Sequence, residues 1–114
     1  MSPSGPLPTF KAGFFKALGH PLRIRILELL VTGDRSVGEI LEAVGTDQPT
    51  VSRQLAILRA KDIVISNKVG TSVRYALRDP LVGDLLEVAR RIFNNQLIDA
   101  QSMLQELRRE GRRR

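Results

Sequence analysis

The sequence predicts a mainly α-helical domain with a β-hairpin wing, that is, a winged helix-turn-helix whose first and last helices are free to form a dimer. Three observations carry this prediction. Two short amphipathic segments flank a turn at Gly45-Thr46. The apolar period then changes from helical to alternating across residues 63–77. A single apolar stripe follows, from Leu85 to Leu107.

Taken in chain order, residues 1–9 hold three Pro and one Gly and read as a disordered lead. Phe10–Leu18 reads as a short helix with Phe10, Phe14 and Leu18 at steps of four. Gly19 ends it. His20-Pro21 opens a second helix, with Pro in the first turn, where its missing N–H does no harm. Leu22, Ile26, Leu29 and Leu30 form its stripe, and Thr32-Gly33-Asp34 stops it. Ser36 followed by Glu39 is a capping box for a third helix, whose apolar face is Val37, Ile40, Leu41 and Val44. Gly45 is its stop. Asp47 caps a fourth helix, residues 47–60, with Val51, Leu55 and Leu58 inward.

Ile63-Val64-Ile65 and Val73–Leu77 then form the two strands of the wing, residues 63–77, around a turn at Asn67–Ser72 that contains Gly70. Asp79-Pro80 starts the last helix. Its stripe, Leu85, Ala89, Phe93, Leu97, Ala100, Leu104 and Leu107, is longer than the core of so small a domain can cover. Phe10, Phe14, Leu85, Ala89, Phe93, Leu97 and Leu104 are therefore the expected dimer contacts. The folded domain is expected over residues 10–107, with an Arg-rich tail at 108–114.

Composition narrows the function. The chain has 114 residues, 18 basic and 12 acidic, for a formal charge of +6. It has no Cys and one His, which excludes thiolate chemistry and any mechanism needing two imidazoles in one chain. There is no phosphate-cradling Gly loop and no recognisable nucleophile context, so an enzyme is not expected. No apolar run is long enough for a membrane span, and residues 1–8 lack the regions of a signal peptide. A cytoplasmic protein with an anionic partner is the expectation.

The charge is concentrated. Residues 46–78 carry six basic and two acidic side chains, and the tail carries five Arg and one Glu. Within the first segment, the outer face of the fourth helix presents Gln48, Thr50, Ser52, Arg53 and Gln54, with no acidic residue among them. Gln pairs with adenine, Arg with guanine, and Ser or Thr with either, so this is the side-chain set of a major-groove reader. The N-terminal residues of such a helix are the ones that reach base edges. Lys68 and Arg74 on the wing are expected at the DNA backbone or minor groove. The competing reading is a winged helix used as a protein-docking module, with Arg53 meeting a carboxylate.

Four stretches resemble the winged-helix repressors of the ArsR/SmtB type: FKALGHPLRIRILELL (Phe15–Leu30), SVGEILEAVG (Ser36–Gly45), DQPTVSRQLAILRAKDIV (Asp47–Val64) and NKVGTSVRYALRDP (Asn67–Pro80). The resemblance covers residues 10–107 in order. It implies a homodimer built on the first and last helices, binding double-stranded DNA at an imperfect inverted repeat in a promoter. It also implies a repressor released by a signal.

The family's familiar sensor sites are missing from this sequence. Members that sense thiophilic metals carry a Cys pair near the third helix, where this chain has Ser36–Val44 and no Cys. Members that sense nickel, zinc or cobalt use Asp and His pairs on the last helix. Here that helix offers Asp84, Glu87 and Asp99 without a His, and His20 is the lone imidazole. These four residues would make at most a weak transition-metal site. Three routes for a signal remain open: a small molecule between helices, an atypical metal site using His20 with carboxylates or the N-terminal segment, or a signal-sensing partner protein.

Overall fold

The first helix begins at a proline. In the computed structural model, which describes residues 5–112, α1 spans Pro6–Leu18, four residues ahead of the Phe10 start that the sequence suggests. Pro6 has a φ already suited to the first helical turn, and neither it nor Pro8 has an N–H that the first turn would leave unpaired. Gly5 is the N-cap and its carbonyl accepts from Thr9 N at 3.0 Å. Pro6 and Pro8, which read as part of a disordered lead, therefore open a helix; residues 1–4 lie outside the described residues.

Helix α2 spans Pro21–Val31, capped by His20. Strand β1 is Arg35–Ser36 and α3 is Val37–Val44. Helix α4 is Gln48–Ala60, β2 is Val64–Val69, β3 is Ser72–Leu77 and α5 is Leu81–Arg112. The sheet has three strands in the order β1-β3-β2, all antiparallel. Strand β1 is absent from the sequence reading because two residues show no alternation; pairing of Arg35 with Tyr75 and Ser36 with Arg74 defines it.

The turn of the wing is also tighter than the sequence suggests. Val69 pairs with Ser72, so only Gly70 and Thr71 form the loop. Gly70 has φ 62° and Thr71 does not have positive φ, which is the pattern of a two-residue turn with Gly first. Side chains across the ladder then alternate. Asn67 faces Arg74, and Lys68 faces Val73, so Arg74 and Lys68 lie on opposite faces of the hairpin.

The chain divides into two compact units, one ending at Gly83 and the other beginning at Asp84. The core of the first joins Ile26, Leu27 and Leu30 of α2, Ile40 of α3, Val51, Leu55 and Leu58 of α4, and Ile63 and Val64 leading into the wing. Leu27 is fully buried although the stripe read from α2 omitted it, while Leu22 and Leu29 are only half-buried. The buried and half-buried residues form one face wide enough to include Leu27, while Ile24, Arg25, Glu28 and Val31 lie on the exposed side. The second unit is the helical run from Asp84, which continues through Arg108 and Arg109 to Arg112, so the expected tail is helical as far as it is described. Asp79 caps α5, its carboxylate accepting from Leu81 N at 2.9 Å.

Candidate nucleic-acid interface

The α3–turn–α4 unit is fixed at three points by local chemistry. Ser36 Oγ accepts from Glu39 N at 3.2 Å, and the Glu39 carboxylate accepts from Ser36 N at 3.2 Å, the reciprocal pair of a capping box. Gly45 ends α3 in the left-handed region, φ 68° and ψ 32°, where a side chain would be strained. Asp47 then caps α4, accepting from Thr50 N at 2.9 Å and from Thr50 Oγ1 at 2.8 Å. These hydrogen bonds favour the ionised carboxylates. The Asp47 carboxyl is held below its ordinary value chiefly by the Thr50 N–H. That of Glu39 is held below its ordinary value chiefly by the Ser36 N–H, with Arg74 adding to it.

Helix α4 buries Val51, Leu55 and Leu58 and turns its other face outward. Gln48, Ser52 and Arg53 are exposed, and no hydrogen bond within the described residues occupies their side chains. Thr50 is half-buried and its hydroxyl is turned to Asp47. Gln54 is half-buried, and its Oε1 accepts from Arg23 Nη1 at 2.8 Å, so it faces α2 and not the outer surface. Ala56 and Ile57 are exposed one turn further along. Neither carries a hydrogen-bonding group that would mark it in the sequence, yet an apolar side chain there suits a thymine methyl.

On the wing, Lys68 is exposed near the tip. Arg74 is not free in the same way. Its Nε lies 3.2 Å from Asp34 Oδ2 and its Nη1 lies 3.1 Å from Glu39 Oε1, while Nη2 donates to the Asp34 carbonyl at 3.1 Å. The Asp34 and Glu39 carboxylates raise its pKa. Arg74 thus braces β3 against β1 and the start of α3. Arg78 pairs with Asp62 at 3.2 Å, at the joint between α4 and β2 where Asp62 takes φ 56°.

The expected dimer residues are apolar surface in the single chain. Phe10 is 76% exposed, Phe93 57%, Leu97 71% and Leu104 46%. Phe14, Leu85 and Ala89 are half-buried. Leu7 and Phe15 extend the patch on α1, and Ile92, Met103 and Leu107 extend that on α5. The expected metal ligands are not gathered. His20 Nδ1 accepts from Leu22 N at 3.1 Å and so serves as the α2 cap. Glu87 accepts from Arg90 at 2.8 Å and pairs with Arg91, which keeps its carboxyl below the ordinary value, and Asp84 and Asp99 are exposed. Among the described residues, no three His, Cys, Asp or Glu side chains stand close enough to hold a metal ion.

Two capped helices at a left-handed glycine turn, a third helix beneath them and a two-stranded wing beside them define a winged helix-turn-helix regulator of transcription. The comparisons agree and name the family. The model of the bacterial regulatory proteins of the arsR family matches residues 20–66. An uncharacterised HTH-type transcriptional regulator of Mycobacterium tuberculosis, Rv0081, is 45% identical over 109 residues, 95% of this chain and 96% of that one. A probable mercury resistance operon repressor of Streptomyces lividans is 37% identical over 83 residues, covering 73% of this chain and 66% of that one. Among solved structures, the crystal structure of M. tuberculosis Rv0081 superposes with a TM-score of 0.78 at 46% identity, covering 84% of this chain and 97% of that one. The solution structure of the homodimeric winged helix-turn-helix domain of Mb0332 from Mycobacterium bovis has a TM-score of 0.76 at 28% identity, over 85% of this chain and 90% of that one. This chain belongs to the ArsR family of bacterial regulatory proteins.

Proposed function

We propose that the protein is a homodimeric repressor acting in the cytoplasm, which binds an imperfect inverted repeat in promoter DNA and needs no metal to do so. The outer face of α4 carries this reading. Gln48, Ser52 and Arg53 stand there exposed, on a helix anchored from below by Val51, Leu55 and Leu58. A hydrogen-bonding face held rigid and left unoccupied suits base edges in a major groove. Lys68 near the wing tip would meet a phosphate. The bracing role of Arg74 leaves it a weaker backbone contact than Lys68, because two carboxylates already surround it.

The apolar side chains of α1 and α5 support dimerisation, since patches of this kind mark interaction sites. Mb0332 is homodimeric, which suits the same reading. The donor chemistry argues against a metal trigger: there is no Cys, and the one imidazole uses Nδ1 for capping. A partner protein or an organic ligand would then supply the signal.

Two measurements on metal-free protein test this. Sedimentation equilibrium should give a dimer at micromolar concentration. Fluorescence anisotropy with duplex from upstream of its own gene should show selective binding over a scrambled duplex at physiological salt, unchanged by nickel, zinc or cobalt. A monomer, or equal affinity for both duplexes, overturns the regulator described here. A change of about tenfold or more with one metal overturns the metal-free part alone and makes His20 the first residue to replace.

A further inference from the structure

Arg23 makes contacts that neither core packing nor DNA reading requires. It lies in the first turn of α2 and is half-buried. Its Nε donates to the Ala17 carbonyl at 2.6 Å, and its Nη2 reaches the Lys16 carbonyl at 3.4 Å. Those carbonyls belong to the last turn of α1, at the negative end of the helix dipole; the Lys16 carbonyl also accepts from Gly19 N at 3.1 Å, so Arg23 adds a second donor there. The third nitrogen, Nη1, donates to Gln54 Oε1 of α4 at 2.8 Å. One planar guanidinium therefore bridges the end of α1 and the middle of the recognition helix. Arg suits this position because its fork holds several acceptors in fixed directions, which a Lys ammonium does not.

A second feature brings α1 to the far end of the same helix. A Cβ built on Gly13 of α1 would meet Lys61 Nζ at 3.3 Å, and Lys61 is the C-cap residue of α4. Helix α1 thus approaches α4 at its middle through Arg23 and at its C-terminus through Lys61. The same α1 carries the exposed Leu7, Phe10 and Phe15.

We propose that Arg23 is a positioning residue that ties the recognition helix, through Gln54, to α1, so that the spacing of the two α4 helices in the dimer follows from how α1 packs against the partner. The proposal rests on the dimeric DNA-binding reading above. It assigns Gln54 to the protein's own framework and not to base recognition. A dimer binds tightly only where its two reading helices match the separation of the half-sites, about one helical turn of DNA. Loosening one clamp per protomer should therefore cost the two-site contact while leaving each half-site contact intact.

The test compares affinities for two duplexes. An inverted repeat is first selected from random-sequence duplex with the wild-type protein, and a second duplex keeps one half-site and scrambles the other. Two variants are used. Gln54→Ala cuts the link but leaves the α1 carbonyls capped by Arg23, and Ala is at home in a helix. Gln54→Glu keeps an acceptor for Arg23 and makes it a charged one. The expected result is a loss of about tenfold in the preference of Gln54→Ala for the full repeat over the half-site, with the half-site affinity retained. Gln54→Glu should keep the wild-type preference and select the same sequence.

Replacing Ser66 of β2 by Cys provides one label per protomer in a chain that otherwise has no cysteine. Electron–electron distance measurement between the labels should give a narrow distribution in wild type and a broad one in Gln54→Ala. An unchanged preference and an unchanged distribution in Gln54→Ala overturn the proposal, as does a change of selected base in Gln54→Glu, which would make Gln54 a base reader. Failure of wild type to select any duplex, or an absent inter-label signal, overturns the dimeric DNA-binding reading and this proposal with it.

Discussion

Replacing Arg53 by Ala separates base reading from charge. Arg53 is exposed on α4, and its charge helps to keep the Asp47 carboxylate ionised. Removing it leaves no cavity and no orphaned partner, so folding stability should move by no more than about 0.5 kcal/mol. The whole effect should then appear in DNA binding. A guanidinium bidentate to guanine is worth about 1–3 kcal/mol of discrimination, which corresponds to roughly 5–150-fold at about 1.4 kcal/mol per decade. The assay is anisotropy titration of wild type, Arg53→Ala and Arg53→Lys against the selected operator and its scrambled form at several salt concentrations. Arg53→Ala should lose affinity for the operator and little beyond the charge effect for the scrambled duplex. Arg53→Lys should keep the salt dependence and lose much of the discrimination, because it keeps the charge and loses the fork. Equal losses on both duplexes would refute the reasoning and make Arg53 a phosphate contact.

Three further outcomes are expected. Leu58→Ala should lower the unfolding free energy by about 2–5 kcal/mol, because Leu58 is fully buried, whereas the exposed Ile57→Ala should cost less than about 1 kcal/mol; urea denaturation at fixed protein concentration checks both. Gly45→Ala should cost about 1–2 kcal/mol from backbone strain alone, since nothing lies within 4 Å of a Cβ there, and Gly45→Asn should cost less. Glu39 and Asp47 have lowered pKa values in the folded chain, so the stability that they contribute is present above their ordinary values of 4.5 and 3.8 and is lost as pH falls through the lowered ones. Unfolding midpoints should therefore hold from neutral pH to about pH 5 and fall below that, and Asp47→Asn should weaken the fall while keeping a capping oxygen.

The parts of the fold that were legible in the sequence are those fixed by neighbours in the chain. Ser36 with Glu39, Gly45 and Asp47 each act within four residues, so their spacing alone announces the ends of α3 and α4. The inward face of α4 follows from the spacing of Val51, Leu55 and Leu58. What the sequence concealed depends on distant partners. Strand β1 exists only because β3 lies beside it, some forty residues on. Arg74 reads as a free cation until Asp34 and Glu39 are brought next to it. Gln54 reads as a base-contacting amide until Arg23, thirty-one residues earlier, takes its oxygen. Pro6 and Pro8 mislead for a different reason, since Pro breaks a helix interior but fits a first turn, and composition does not distinguish the two.

Methylation interference on the selected operator tests the central claim most directly, because guanine N7 lies in the major groove and adenine N3 in the minor. The account predicts that guanine N7 methylation blocks binding in two clusters related by two-fold symmetry, about one helical turn apart. Interference at adenine N3 alone, or in a single cluster, would contradict a dimer that reads DNA with two α4 helices.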